Sequence, residues 1–191
     1  MSKTNLNALT HKYSGKFGDH FIFRNVNGQS VLAALPDRKN VVASEAQLAV
    51  RRKFAAAARY AKQVLLDPDM LAAYTAKAEA NGNVHSPRIL AMTDFLTPPW
   101  ITEINLVDFN GNEGDIIRVV AGDDFMVTEV TLKILAPGGS ELEAGACEFN
   151  ETDSAWEYTV TTEITIEPGL EIRARARDYP NHTGEDSYIF E

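Results

Sequence analysis

The sequence predicts an α+β chain: an N-terminal β-hairpin plus about three helices, followed by a seven-stranded antiparallel β-sandwich. Three observations carry this. An Asn-Gly pair separates two apolar runs near the start, glycine-free helical periodicity with capping signals follows, and after Pro99 the pattern changes to strict apolar/polar alternation. At 191 residues and 45% hydrophobic, the chain has enough apolar material for one to two domains.

The runs HFIFR (20–24) and QSVLAAL (29–35) flank Asn27-Gly28, the pair that most readily takes the positive φ angles of a two-residue hairpin turn. Pro36 and Asp37 end the hairpin. Two strands alone are marginal in water, so this hairpin has to pack on another element or another chain. Ser44 and Gln47 then fit a capping box, and 45–65 contain neither Gly nor Pro. Val50, Phe54, Ala57, Ala58, Ala61 and Val64 recur at helical steps and make one apolar face. Asp67-Pro68 opens a second helix that runs to about 80 and stops before Gly82. Ser86-Pro87 opens a short third, which Pro98-Pro99 ends.

Beyond Pro99, seven short segments (101–107, 115–120, 126–136, 141–149, 155–162, 170–177 and 187–190) are separated by Gly, Asn, Asp and Pro. Met126, Val130, Leu132 and Ile134 alternate with Glu129, Thr131 and Lys133, and Trp156, Tyr158 and Val160 with Glu157 and Thr159. One face of each strand is therefore buried and the other wet. Seven strands in about 90 residues fit an immunoglobulin-like sandwich without its usual cysteine pair. The domains expected are a hairpin and helical segment, 1–97, and the sandwich, 98–191.

The stretch GNEGDIIRVVAGDDFMVTEVTLKI, with WEYTV and IRARARDYPN after it, is similar to bacterial Ig-like domains, departing from them at Pro180-Asn181, where Gly-Asn is usual. GKFGDHFIFRNVNGQSVL and SEAQLAVRRKF resemble a family of uncharacterised bacterial proteins that joins such a basic segment to such a sandwich. The resemblance implies the fold and no activity, because sandwich folds host many functions.

Charge is unevenly placed. The formal net charge is −9, yet residues 1–66 hold eleven bases against three acids, a net of +8, and the remainder carries −17. That asymmetry points to a polyanion for the basic half, or to an electrostatic match between neighbouring copies; two solvated surfaces of unequal sign would look alike. In RRKFAAAARYAK (51–62), Arg51, Arg52, Arg59 and Lys62 spread over a broad polar arc. No helix-turn-helix or RRM pattern accompanies them, which argues against a nucleic-acid reader. Arg173, Arg175 and Arg177 fall on one face of a strand, opposite Ile172, Ala174 and Ala176. They are read either as a cross-strand ladder with glutamates or as a contact patch for an acidic surface.

Candidate chemistry is sparse. One cysteine, Cys147, excludes an internal disulfide, and with four scattered histidines it supplies no zinc set. Cys147 reads as a core thiol. The loop 108–115 is oxygen-rich but lacks EF-hand spacing, so turn chemistry is its simpler reading; a looser calcium site using Asp123, Asp124 or Asp178 is the alternative. Asp123-Asp124 as an acid/base pair is disfavoured, because sequence neighbours at a strand entry point apart. There is no nucleophile elbow, phosphate-cradling loop or H-E-x-x-H helix. No catalytic residue, cofactor or metal is assigned, and the chain is not expected to be an enzyme.

The function expected is that of a structural, self-assembling protein. Its basic segment docks head to tail on the acidic sandwich of the next copy, giving a homo-oligomer, filament or particle-like array. Phe21, Phe23, Val31 and Leu32 would anchor it; Arg51, Arg52, Arg59 and Lys62 would guide it; Arg173, Arg175 and Arg177 would offer a further patch. The alternatives are an Ig-like module for a protein or carbohydrate partner and a nucleic-acid accessory protein. Without a signal peptide or membrane span, the expected place is the cytoplasm, and non-classical export is compatible with the sequence.

Overall fold

The computed structural model describes residues 2–4, 14–26, 29–35, 42–82 and 84–191. Among them are three helices and twelve strands in three antiparallel four-stranded sheets. The α+β class is as expected. The chain falls into two compact units, 1–47 and 48–191, so the helices share a unit with the sandwich, whereas the sequence reading set its boundary at 97/98.

In the first unit, β1 (Ser2–Thr4), β2 (Gly15–Phe17), β3 (Phe21–Val26) and β4 (Gln29–Ala34) form a sheet of order β1-β4-β3-β2. The expected hairpin is β3–β4, with one strand added on each side. Its Asn27-Gly28 turn and Pro36-Asp37 stop lie outside the described residues. Directly opposed residues share a face, so the pairs Phe17↔Phe21, Phe21↔Ala34 and Phe23↔Leu32 put three aromatic rings and Leu32 on one side. Phe17 is 65% and Phe21 45% exposed there. Val31 and Ala33 are buried, and their pairing with Arg24 and Ile22 puts them on the other side.

Helix α1 (Glu45–Val64) begins at the expected capping box. The Ser44 N–H donates to Gln47 Oε1 (3.1 Å) and the Gln47 N–H to Ser44 Oγ (3.3 Å). α2 (Pro68–Ala80) starts from Asp67, which accepts from the Asp69 N–H at 2.9 Å, and α3 (Pro87–Leu96) from Ser86, which accepts from the Ile89 N–H. Ala61, Met70, Tyr74, Ala78, Leu90 and Ala91 make the helical core, and Phe125 of the sandwich packs against it. The apolar stripe of α1 is buried only at Ala57 and Ala61; residues 44–55 are exposed throughout.

The sandwich comprises β5 (Trp100–Asn105), β6 (Ile116–Gly122), β7 (Val127–Leu135), β8 (Glu141–Ala146), β9 (Glu148–Asn150), β10 (Ala155–Thr159), β11 (Glu171–Asp178) and β12 (Thr183–Ile189). Its sheets run β5-β6-β10-β9 and β12-β11-β7-β8. Lettered in chain order these are A-B-E-D and G-F-C-C′, the immunoglobulin-like arrangement. The seven expected segments become eight strands because 141–149 divides at Cys147: β8 stays in one sheet and β9 crosses to the other. The Cys147 N–H donates to the Val130 carbonyl (2.8 Å), and burial pushes its thiol up to about 12, as a core thiol requires. Ile117, Val119, Tyr158 and Val160 of the first sheet interleave with Val130, Leu132, Ile134, Ile172, Ala174 and Ala176 of the second. Met126, placed on the inward face by alternation, is 39% exposed. At Gly184 a Cβ would lie 1.8 Å from the Pro99 carbonyl oxygen, so β12 can approach the start of β5 only with glycine there.

A buried carboxylate joins the two sheets. Glu143 of β8 accepts from Tyr158 Oη (2.7 Å) on β10 and, just beyond it, from the backbone N–H and hydroxyl groups of Thr161 (2.7 and 2.9 Å) and Thr162 (3.1 and 2.6 Å). Burial alone would raise its pKa, but these donors together lower it from 4.5 to about 2. A depressed folded pKa stabilises the fold fully above the unfolded value of 4.5 and progressively less as pH falls toward 2. Acid titration followed by circular dichroism should show that loss. Glu143→Gln, which turns an amide N–H₂ toward existing donors, should cost about 2–3 kcal/mol in urea unfolding at neutral pH and flatten the acid limb between those values.

Candidate functional site

Helical periodicity places a carboxylate where an apolar side chain is expected. On α3, Leu90 and Ala91 are buried, and Asp94, four and three residues on, completes the same stripe. Asp94 is 0% exposed. Its Oδ2 accepts from Tyr74 Oη of α2 at 2.5 Å and, at 3.5 Å, from Tyr60 Oη of α1; the two hydroxyls are 3.3 Å apart. Tyr74 is held by stacking on Phe125, with ring centroids 3.8 Å apart.

Two sandwich loops complete the site. Asp123 follows β6, and its Oδ2 caps the next turn by accepting from the N–H groups of Phe125 (3.0 Å) and Met126 (2.8 Å). Asp178 ends β11 at a register irregularity and is 1% exposed. Its Oδ1 accepts from the His182 N–H (2.6 Å) and its Oδ2 lies 3.1 Å from His182 Nδ1. The turn depends on Asn181 at φ 69°, the residue after Pro180, which stands where glycine is usual; asparagine tolerates that left-handed conformation.

Asp94, Asp123 and Asp178 each present a carboxylate oxygen, and these oxygens lie within 4.8 Å of one another. Asp94 Oδ1 and Asp123 Oδ1 are buried, and no donor among the described residues reaches either. At an effective dielectric of about 20, two full charges at such a distance repel by about 3 kcal/mol, so the triad needs a neutralising partner. Burial is the main reason that Asp94 is pushed up to about 7; the Tyr74 hydroxyl opposes the rise, and the charge of Asp123, hydrogen bonding of the protonated carboxyl to Asp123, and the charge of Asp178 add to it. Burial also raises Asp178, against the lowering effect of His182. Tyr74 and Tyr60 are pushed well above the ordinary phenol range, chiefly by burial, and remain donors. Beside the triad, an open cleft of about 810 Å³ is lined by Tyr60, Glu129, Arg177, Asp178, Tyr179 and Asn181.

The sequence offers Asp123, Asp124 or Asp178 for a loose calcium site only as the alternative to turn chemistry. The structure brings Asp123 and Asp178 together and adds Asp94, while Asp124 stays outside the cluster. The 108–115 loop is turn chemistry: Asp115 Oδ2 accepts from the N–H groups of Asn110 (2.6 Å) and Asn112 (3.0 Å), and Asp108 is bonded to Arg118. The β11 arginines form a ladder, Arg173 with Glu171 (2.8 Å), Arg175 with Glu185 (2.5 Å) and Arg177 with Glu129 (3.2 Å). Arg51, Arg52, Arg59 and Lys62 are exposed on α1, with no carboxylate partner among the described residues. Lys53 instead donates to the Leu96 carbonyl (3.1 Å) at the C-terminus of α3, where the helix dipole favours a cation.

No family model matches the chain, and no curated protein does. Among solved structures, the chain is similar to a conjugative transposon lipoprotein from Bacteroides eggerthii, at 16% identity and a TM-score of 0.27, over 49% of this chain and 97% of that one. A likeness of that size carries no argument about fold or function. Among the described residues, no helix is long and apolar enough to cross a membrane.

If Tyr74 is the principal donor to Asp94, Tyr74→Phe should lower stability by about 1–3 kcal/mol while keeping the ring stack, and Tyr60→Phe should cost clearly less. Urea midpoints of the two variants check this; equal losses would contradict the ranking.

Proposed function

We propose that the chain is a non-enzymatic structural or accessory subunit that assembles with copies of itself. The observation that carries this reading is the uncovered apolar surface on its basic part. On α1, Val50 and Phe54, about one turn apart on one face, are 56% and 51% exposed, and Leu48, on a different face, is 39% exposed. The aromatic face of the N-terminal sheet, with Phe17 and Phe21, is likewise open. Contiguous exposed apolar side chains rimmed by charge mark contact surfaces, and the neighbouring Arg51, Arg52, Arg59 and Lys62 match in sign the acidic sandwich of another copy. The three β11 arginines enter only as an already paired ladder. The absence of enzymatic activity is part of the proposal and rests on the lack of a nucleophile–base pair in the sequence.

Light scattering on the eluting protein should give a mass at a multiple of 21.0 kDa. Phe54→Asp should reduce it toward one copy with unchanged circular dichroism. Salt at about 1 M, where the screening length is about 3 Å, should shrink an assembly guided by charge. A single-copy species at low salt and high protein concentration overturns the reading.

A second reading, a module that binds a protein or carbohydrate partner, is favoured by the cleft beside Asp178, whose walls offer two tyrosines, an arginine and an asparagine. A single-copy protein that takes up a glycan saturably, and loses it in Tyr179→Ala, selects that reading instead.

A further inference from the structure

We propose that Asp94, Asp123 and Asp178 form a divalent-cation site suited to Ca²⁺, which clips helix α3 to the β6–β7 and β11–β12 loops of the sandwich. Three facts support it. The three carboxylate oxygens lie within 4.8 Å of one another, the span available to ligands that share an ion at 2.3–2.6 Å. Within these side chains, Asp94 Oδ1 and Asp123 Oδ1 are buried and accept no hydrogen bond from a donor group among the described residues, and Asp94 is 0% exposed. Finally, Asp94 Oδ2 is fixed by the tyrosines and Asp123 Oδ2 by the Phe125 and Met126 N–H groups, while both oxygens of Asp178 meet His182. Each ligand is thus oriented by a second hydrogen bond, as metal ligands usually are.

The donor set is all oxygen and hard, which selects Ca²⁺ or Mg²⁺ over softer ions. Ligands from a helix and two loops give an irregular cage, which Ca²⁺ accepts more readily than octahedral Mg²⁺. No Lys or Arg side chain is ion-paired to the triad among the described residues, so within the cluster His182 is the basic side chain in contact with it. A doubly charged ion offsets more of that repulsion than one imidazolium does.

The test uses the full chain after EGTA treatment and dialysis, titrated calorimetrically with CaCl₂ and MgCl₂, with terbium luminescence excited through Tyr74 and Tyr60 as a local readout. We expect one saturable Ca²⁺ per chain, weaker Mg²⁺, tyrosine-sensitised terbium emission displaced by Ca²⁺, and a Ca²⁺-dependent rise in Tm. Asp123→Asn should weaken Ca²⁺ about tenfold or more, while Asp124→Asn, in the same loop but outside the cluster, should bind as the wild type does. If Asp123→Asn fails to fold, Asp94→Asn serves, because it removes charge from a fully buried position and leaves an isosteric acceptor for Tyr74. No saturable uptake by the wild type overturns the proposal: the triad is then neutralised by protons alone. Undiminished uptake in the Asp123→Asn or Asp94→Asn protein also overturns it, since the ion then sits elsewhere.

Discussion

The burial of Asp94 is the constraint around which the 48–191 unit is arranged. A carboxylate taken fully out of water costs several kcal/mol unless hydrogen bonds and charge repay it. Here the repayment comes from Tyr74 of α2 and Tyr60 of α1, which donate to one oxygen, while the loops bearing Asp123 and Asp178 bring two further carboxylates within 4.8 Å. An apolar residue would pack the same stripe without needing any of these. Asp94 makes the position of α3 conditional on α1, α2 and two sandwich loops at once, which selects one docking of helices on sandwich over others of similar apolar burial. Phe125 serves the same end, since it stacks on Tyr74 and inserts into the helical core from the sandwich side.

Glu143 does the corresponding work between the sheets, but with the opposite electrostatic outcome. Five donors surround it, so it stays ionised far into the acid range; Asp94 has two donors and two acidic neighbours, and is pushed up. The same physics, a buried carboxylate, therefore gives a saturated structural clamp in one place and an unsaturated group in the other. The difference lies in the deeper burial and acidic neighbours of Asp94 and in the larger number of donors around Glu143.

The local parts of the fold were legible in the sequence. Capping at Ser44, Asp67 and Ser86 is an interaction over two or three residues, so the residue types alone place all three helix starts. Alternation in β11 fixes which side chains face in, and the buried Ile172, Ala174 and Ala176 follow it. The parts that escaped depend on separation along the chain. The split of 141–149 at Cys147 occurs where its N–H finds the Val130 carbonyl, a partner that no spacing announces. Asp123 and Asp178 stood out as loop acids, yet their companion Asp94 lies 29 and 84 positions away, on a helix whose periodicity asks only for something apolar there. A charged residue on a buried stripe was the available signal. The outer strands β1 and β2 were missed because three-residue pairings carry no pattern of their own.

The first three turns of α1 bear on function for a thermodynamic reason. A helix segment with every residue exposed gains no tertiary burial, and its formation rests on the capping box, propensity and propagation from the packed turns around Ala57 and Ala61. Alanine, arginine and lysine suit such a segment; Leu48, Val50 and Phe54 do nothing for it in isolation, since their apolar area stays in water. Their spacing puts Val50 and Phe54 on the stripe that Ala57 and Ala61 continue into the helical core, so the same face that is covered at one end is open at the other. An apolar stripe that runs beyond its own core, flanked by Arg51 and Arg52, is what a contact surface for a second acidic body would require.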